Sequence, residues 1–393
     1  MELLKRRRAE TPKYKSGPRQ RWSGQTAGFR LGLVAAAVHV FSVGATRGQE
    51  FPGYQYSHTF TLPANATVFD VLSDGRLIAL FGDDAYVEVA AGSDAFSQTG
   101  TLPSADFPSF GPAFIRVSPD GLRIAVGNNG GASFSNYRVG VLEIATFTGN
   151  WFAAAHYDAE WIDNTLLAVT AGDFVNPSVV TVLDTTSADP LNPTNPIIIN
   201  NIGGASGGIA FDSAWNLYTG NGFQFDGPSG TGAVKAFTHA AWQAALGGSP
   251  LNFETGGVLV VDVLSASPLG FDGQGNLFVG GGDFSSIADY DFTALVRASA
   301  VADALGGMGP VDGDDPDQVQ RLDPDGTNDF NFYSPNYNSI LGRLYVPDGT
   351  TVHVYADVST IPTVSQWGLA SMALLLMTAG TLMIRRSHAG DQR

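Results

Sequence analysis

The amino-acid sequence predicts an all-β protein, a β-propeller of six or seven blades. Three observations lead to this prediction: a strand–turn–strand unit occurs six times, a further strand follows each unit, and one short pattern occurs both before the first unit and inside it. The 393 residues include no cysteine, which excludes disulfide bonds. A ring of this length has enough apolar residues to bury a core without them.

The repeated unit is clearest in residues 208–222, GIAFDSAWNLYTGNG, and residues 268–283, PLGFDGQGNLFVGGGD. Each reads as a strand, a tight turn rich in Asp, Asn or Gly, and a second strand, which are the local marks of a β-hairpin. The six turns fall near Gly75, Gly121, Asn164, Asn216, Gly275 and Gly342. Their spacing is typical of propeller blades, and the wide last interval leaves room for a seventh, degenerate blade.

A third strand is predicted after every hairpin. These strands begin near Tyr86, Val139, Val179, Ala233, Ala294 and Val352. Two of the later units also share an insertion with helical character, which begins near Thr238 in one unit and near Ala298 in the other. A shared insertion indicates that the two units are copies of one module.

The two ends of the ring are predicted to meet. The pattern S-x-T-x-T-L-P occurs at residues 57–63 and again at 97–103, where the outermost strand of the first blade belongs. The earlier copy has no blade before it. We therefore expect the strand 56–62 to complete the last blade beside 352–356, which leaves no open sheet edge in the ring. A pair of two-sheet β-sandwiches is the alternative, but it does not explain six copies of the unit.

Residues 1–45 are predicted to be a signal peptide. A basic leader precedes the apolar stretch LGLVAAAVHVFSVG at residues 31–44, and small residues follow up to Ala45. This is the three-part plan of a secretory signal, with cleavage after Ala45. An uncleaved N-terminal anchor is the alternative, although the apolar stretch is short for a membrane span.

Residues 361–393 have the pattern of a membrane-associated tail. The segment IPTVSQWG is followed by an uncharged apolar run and then by two arginines. The residues that define this tail are Ile361, Pro362, Thr363, Trp367, Gly368, Arg385 and Arg386. A transmembrane helix over residues 364–384 would keep the paired arginines on the cytoplasmic side.

This order of features resembles the IPTL-CTERM sorting tail of bacterial surface proteins, with Val364 at the place where the name-giving motif has leucine. The resemblance implies processing by an exosortase-type enzyme. It also implies export to the cell envelope or outer surface, with membrane anchoring before processing. A plain C-terminal anchor is the alternative. The segment between the predicted signal peptide and the tail, residues 46–360, is expected to form the propeller.

Acidic residues dominate the predicted propeller. The net charge of the chain is −16, and the basic residues concentrate in its first 45 positions. Such a domain disfavours nucleic acid and anionic lipid as partners, and it favours cations.

Calcium is the candidate cofactor, because carboxylate and amide oxygens are its preferred ligands. Aspartates follow several predicted second strands. Within the segment 311–332, DPDGTND resembles part of an EF-hand loop, although Arg321 and Phe332 stand at the first and last ligand positions, and a solvated acidic loop is the alternative. The candidate ligands are Asp83, Asp173, Asp283, Asp323, Asp325 and Asp329. The turns after the second strands are expected to share one face of the propeller. The alternative is that these residues only serve tight turns, which favour Asp, Asn and Gly.

Catalytic motifs such as HExxH and the phosphate-binding loop are absent from the sequence. Glu160 lies on a predicted innermost strand, where it could face the channel; an outward-facing or turn-capping carboxylate is the alternative. Glu88 and Glu143 lie on third strands and are expected to be exposed. The WNLY and GNLF strands show a faint resemblance to propellers of the NHL and gluconolactonase type, which implies an architecture and no site.

The sequence therefore favours an exported, cell-surface or envelope-attached β-propeller with a binding or structural role rather than a catalytic one. Its extracellular ligand is unknown. The alternative is a calcium-dependent, lactonase-like hydrolase. Carboxylates that converge in the central channel would favour the hydrolase, whereas an apolar channel would favour a binding or structural role.

Overall fold

The computed structural model describes residues 53–66, 68–103, 112–128, 137–171, 178–203, 206–221, 233–263, 266, 268–280, 293–322 and 335–358. The strands of these residues form six separate sheets, each of four or five strands. The innermost strands of successive sheets contact one another in a closed cycle. The predicted all-β propeller is therefore confirmed, with six blades among the described residues.

Each blade is built outward from an innermost strand. The first described strand, β1 (Tyr54–Thr61), belongs to the last blade, and a single 3-10 turn (Pro63–Asn65) follows it. Blade 1 contains β2 (Val68–Val71), β3 (Leu77–Phe81), β4 (Asp84–Glu88) and β5 (Phe96–Thr101). Blade 2 contains β6 (Pro112–Val117), β7 (Arg123–Asn128), β8 (Arg138–Glu143) and β9 (Gly149–Ala153). Blade 3 contains β10 (Asp158–Trp161), β11 (Leu166–Ala171), β12 (Ser178–Asp184) and β13 (Ile197–Ile202). Blade 4 contains β14 (Ser206–Phe211), β15 (Leu217–Asn221), β16 (Ala233–Phe237) and β18 (Val258–Asp262). Blade 5 contains β19 (Leu269–Phe271), β20 (Leu277–Gly280), β21 (Thr293–Val296) and β23 (Val319–Leu322). Blade 6 contains β24 (Asn336–Asn338), β25 (Arg343–Asp348), β26 (Thr351–Asp357) and β1.

Apolar side chains of neighbouring blades fill the space between the sheets. One cluster joins blades 1 and 2 and includes the fully buried Leu80 and Ile124. Another joins blades 3 and 4 through Ile199 and Leu217. Second strands such as β3 are buried over most of their length, because both of their faces are covered by adjacent blades. This burial is the main favourable contribution to the stability of the ring.

The predicted closure of the ring is confirmed. Strand β1 pairs antiparallel with β26, with Tyr56 opposite Tyr355 and Thr59 opposite His353. A β-bulge interrupts the register between Tyr56 and His58. The closing strand also contacts blade 1, because His58 Nε2 lies 2.6 Å from Asp94 Oδ2 in the connection between β4 and β5.

The shared insertions are two helices, as predicted: α1 (His239–Ala245) and α2 (Ala298–Leu305). Each helix leads to a two-residue strand, β17 (Leu251–Asn252) or β22 (Val311–Asp312). These short strands pair in parallel with the outer strand of the preceding blade, β13 or β18. Each insertion therefore ties its own blade to the one before it.

Glu88 is buried, which corrects the expectation that it is exposed. Its carboxylate accepts hydrogen bonds from the backbone N–H of Leu77 at 3.1 Å and of Asp94 at 2.7 Å. The connection after β4 folds back over the strand end and covers this side chain. Glu143 is exposed, as expected.

The predicted sorting signals lie outside the described residues. These are Ala45 and the seven residues of the tail motif. The signal peptide and the membrane helix therefore remain predictions. Among the residues that the structure describes, no helix combines the length and apolar character needed to cross a membrane.

Candidate active site in the channel

A cavity of about 760 Å³ opens at one end of the propeller channel. It is lined by residues of the innermost strands of all six blades and of the turns that follow those strands. Its volume lies within the usual range of small-molecule sites, roughly 300–1,000 Å³. The first hairpin turns of blades 1, 2, 4, 5 and 6 therefore lie at the end of the channel where a ligand would enter.

One equivalent position of each innermost strand lines this cavity. The six residues at that position are Asp70, Arg116, Glu160, Ala210, Gly270 and Asn336. Blades 1 to 3 contribute charged side chains, whereas blades 4 and 5 contribute only alanine and glycine. The small residues leave open space beside the charged ones, so the site is strongly asymmetric within a nearly symmetric ring.

Arg116 is the centre of the charged side. Its Nη2 lies 2.5 Å from Asp158 Oδ1, and its Nε lies 3.7 Å from Glu160 Oε2. The Arg116 side chain is 14% exposed and that of Asp158 is 3% exposed, whereas Glu160 keeps 35% of its side-chain surface open to the cavity. Asp158 therefore fixes the guanidinium, while Glu160 remains within reach of a ligand.

Backbone hydrogen bonds hold the other carboxylates in place. Asp70 accepts from the N–H of Val117 in the next blade at 2.6 Å. Asp158 accepts from the N–H of Ala159 at 2.9 Å and, across the blade boundary, from that of Ile209 at 3.4 Å. The cluster thus connects the innermost strands of the first four blades, which makes it rigid before any ligand binds.

Burial raises the pKa of Glu160 to about 7, with the Arg116 guanidinium opposing the rise and Asp70 and Asp158 adding to it. Burial also raises the pKa of Asp70 and of Asp158, again against the effect of Arg116. Burial opposes the charge of Arg116, but the three carboxylates hold its pKa above the ordinary value. A carboxyl group that titrates near neutral pH can both accept and donate a proton under physiological conditions.

Among the described residues, no three His, Asp or Glu side chains are arranged to hold a metal ion. In the cavity, Arg116 already supplies positive charge among the carboxylates. The cluster has the composition of a buried ion-pair network.

One predicted calcium ligand, Asp83, lies among the described residues, and it does not line this cavity. Asp83 is partly buried in the turn between β3 and β4, at the opposite end of the blade from the cavity. The other five candidates lie outside the described residues, so calcium binding by them remains a prediction. They are Asp173, Asp283, Asp323, Asp325 and Asp329.

The sequence pointed to Glu160 as a residue that could face the channel, and the structure places it there. It did not identify Arg116, Asp70 or Asp158. The sequence did contain a signal for Asp70 and Arg116, because the aligned repeats differ in charge at their shared position. This position lies two residues before the start of each hairpin turn. Burying a charged side chain is costly unless it is paired, so charged residues on an innermost strand point to the channel or to a buried ion pair such as that of Asp158.

No family model matches this chain, and no curated protein matches its sequence. Solved structures do match. The PQQ domain of pyranose dehydrogenase from Coprinopsis cinerea has a TM-score of 0.52 and 13% identity, over 79% of this chain and 97% of that chain. Aldose sugar dehydrogenase from Streptomyces coelicolor has a TM-score of 0.49 and 12% identity, over 77% of this chain and 97% of that chain. A protein assigned as a gluconolactonase has a TM-score of 0.43 and 12% identity, over 78% of this chain and 93% of that chain.

The similarity to the pyranose dehydrogenase domain, with its TM-score of 0.52, shows the propeller fold. It also corrects one expectation, because the sequence had favoured a non-enzymatic role and this structural neighbour is part of an enzyme. At 12–13% identity the likeness establishes the fold alone. Any activity of this chain therefore has to be argued from its own channel residues.

Proposed function

We propose that this protein is an exported, envelope-attached propeller hydrolase that cleaves an ester or lactone in its channel. One observation carries the proposal: the partly exposed carboxyl group of Glu160 lies 3.7 Å from the buried guanidinium of Arg116. Both groups line a cavity of about 760 Å³. A base next to a fixed cation is the pair of groups that hydrolysis of a carbonyl compound requires.

In the proposed reaction, the Glu160 carboxylate takes a proton from water while the water oxygen attacks the carbonyl carbon. The N–H groups of Arg116 stabilise the negative charge that develops on the carbonyl oxygen, and Asp158 keeps the guanidinium in position. The bond between the carbonyl carbon and the leaving oxygen then breaks. The leaving oxygen takes the proton from Glu160, which returns to its carboxylate form.

The chemical test is a kinetic comparison of wild-type protein with Glu160→Gln. Proton release is followed on δ-valerolactone, glucono-δ-lactone and p-nitrophenyl acetate. The wild-type kcat should rise with pH through about 7 and then level off, because Glu160 has to be ionised to act as the base. Glu160→Gln should lower kcat by about 10²–10⁴-fold.

Glu143→Gln is the matched control, since Glu143 is an exposed carboxylate at the end of β8. It should leave kcat unchanged. Equal rates for wild type and Glu160→Gln would refute the proposed role of Glu160. Failure of the wild-type protein to hydrolyse any of the three compounds would refute the proposed reaction.

Export belongs to the same proposal and is supported by the sequence of residues 1–45 and 361–393. An exosortase-type enzyme would process the tail after translocation. Deletion of residues 361–393 should move the protein from the envelope to the medium or stop its export. Unchanged retention in the envelope, measured by cell fractionation, would contradict this part of the proposal.

A further inference from the structure

The hairpin turn of blade 4 carries a tryptophan where three other blades carry glycine. The backbone φ angle is +62° at Trp215, compared with +83°, +69° and +86° at Gly75, Gly121 and Gly275. In each of these turns the N–H of that residue donates to the carbonyl oxygen three residues earlier. The four positions are therefore equivalent, and blade 4 places a large aromatic residue in the left-handed region.

The turns of blades 4 and 5 match closely in their hydrogen bonds. In blade 4, Asp212 accepts from the backbone N–H of Asn216 at 2.9 Å and from its side-chain amide at 2.8 Å. In blade 5, Asp272 makes the same two hydrogen bonds with Asn276, at 2.8 and 2.6 Å. This network fixes the backbone of the turn independently of the side chain at position 215.

A left-handed backbone is unfavourable for every residue with a Cβ atom, whereas glycine adopts it freely. The backbone roles of Trp215 do not need its indole ring. Its N–H donates to the carbonyl of Asp212 at 3.0 Å, and its own carbonyl accepts from Trp242 Nε1 at 2.8 Å. Glycine would keep both hydrogen bonds. The turn itself does not require the indole, yet the protein has tryptophan here in a strained conformation. This points to a role for the side chain outside the turn.

Trp215 lines the same cavity as Glu160, and 41% of the surface of this residue is exposed. Its ring centroid lies 5.6 Å from that of Phe211, which supports it from the side of blade 4. The hydroxyl-bearing Ser213 and Ser339 line the cavity as well. A flat aromatic surface close to hydroxyl and carboxylate groups fits a sugar ring, whose C–H face packs on an aromatic ring while its hydroxyl groups form hydrogen bonds.

We propose that Trp215 is the stacking surface for a carbohydrate ring, and that the ester or lactone cleaved in this channel belongs to a sugar derivative. This inference rests on the proposed function, because it assumes that the cavity is the substrate site. It adds the substrate class and the residue that selects it.

The test separates backbone strain from stacking with two substitutions in the full-length protein. Trp215→Gly removes both the strain and the indole, whereas Trp215→Ala removes the indole and keeps a Cβ atom at positive φ. Binding of glucose, cellobiose and xylobiose is measured by isothermal titration calorimetry, and melting temperature by calorimetry. Leu122→Ala is the matched control, since Leu122 is an exposed apolar residue of the blade 2 turn.

Trp215→Gly should melt about 2–4 °C above Trp215→Ala, because only glycine relieves the left-handed backbone. Both variants should bind the preferred sugar about tenfold or more weakly than wild type, whereas Leu122→Ala should bind it normally. The inference is overturned if none of the three sugars binds the wild-type protein. It is also overturned if both Trp215 variants bind as wild type does.

The two proposals can fail separately. Sugar binding that depends on Trp215, in a protein that hydrolyses no ester or lactone, would refute the reaction and support the stacking site. The opposite result is also possible: hydrolysis depends on Glu160, while Trp215→Ala keeps the wild-type KM and the wild-type preference for glucono-δ-lactone over δ-valerolactone. That result would support the reaction and refute the stacking site.

Discussion

Replacing Arg116 with methionine should destabilise the propeller strongly above neutral pH. Methionine keeps most of the length of the side chain but removes the only cation that contacts Asp158 and Glu160 among the described residues. Arg116 is 14% exposed and Asp158 is 3% exposed, so the carboxylates would be left with little water to replace their partner. Removing one partner of a buried ion pair lowers the free energy of unfolding by about 3–5 kcal/mol. At about 2–4 °C for each kcal/mol, the melting temperature should fall by about 10 °C.

The cost of Arg116→Met should depend on pH. A carboxyl group with a pKa raised in the folded state stabilises the fold below its unfolded pKa, and this stabilisation is lost as pH rises through the folded pKa. For Glu160 this window extends from its ordinary value of 4.5 to about 7. Arg116 lowers the pKa of Asp70, Asp158 and Glu160, so its removal raises all three further. The loss of stability should therefore be largest near pH 8 and smallest near pH 5, where the carboxyl groups can take up protons.

The assay is urea unfolding followed by circular dichroism at both pH values, with Arg76→Met as the control. Arg76 Nε lies 2.7 Å from Asp74 Oδ2, but the two side chains are 38% and 51% exposed. An exposed pair of this kind contributes about 0–1 kcal/mol. If Arg116→Met costs no more than Arg76→Met near pH 8, the electrostatic account of the channel is wrong.

Three further predictions concern the ring, a buried histidine and calcium. Deletion of residues 46–63 removes β1, exposes the edge of β26 and should lower the free energy of unfolding by several kcal/mol; an unchanged melting temperature would contradict the role of β1 in closure. His156 is buried, with Nδ1 3.0 Å from the Ala154 carbonyl and Nε2 2.6 Å from the Asn128 carbonyl, and burial lowers its pKa. Neutral His156 therefore stabilises the fold above its unfolded pKa of about 6.5, and this stabilisation is lost in acid. The difference in free energy of unfolding between wild type and His156→Gln should shrink as pH falls from about 8 to 5, and a difference that does not change with pH would refute this. If the six predicted aspartates bind calcium, a chelator should lower the melting temperature of the wild-type protein, and identical melting curves with and without chelator would rule this out.

The architecture could be predicted from the sequence because each of its parts depends on a local pattern. Every hairpin carries its own turn residues and apolar periodicity, and the two helical insertions share a position within their units. Closure was predictable for a further reason. The two copies of S-x-T-x-T-L-P occupy the outermost strands β1 and β5, so one copy identifies the role of the other.

The burial of Glu88 could not be predicted in this way. One of its two hydrogen-bond partners is the N–H of Asp94, whose backbone has a φ angle of +55°. Nothing in the strand YVEV indicates that the following connection returns to cover the carboxylate. Contacts made by irregular connections depend on tertiary structure, which strand periodicity does not encode.

The channel site was missed for the opposite reason, because it consists of positions at which the repeats differ. Alignment of the repeats draws attention to shared residues, and these build the ring. Six identical charges at the channel position would repel one another around a single axis, and six identical small residues would leave a channel without chemistry. A functional site at the centre of a propeller therefore requires the blades to diverge there. In this protein blades 1 to 3 supply Asp70, Arg116 and Glu160, while Ala210 and Gly270 leave open space beside them. Position 215 follows the same rule, since the repeated turn provides the conformation and one blade replaces the expected glycine with tryptophan.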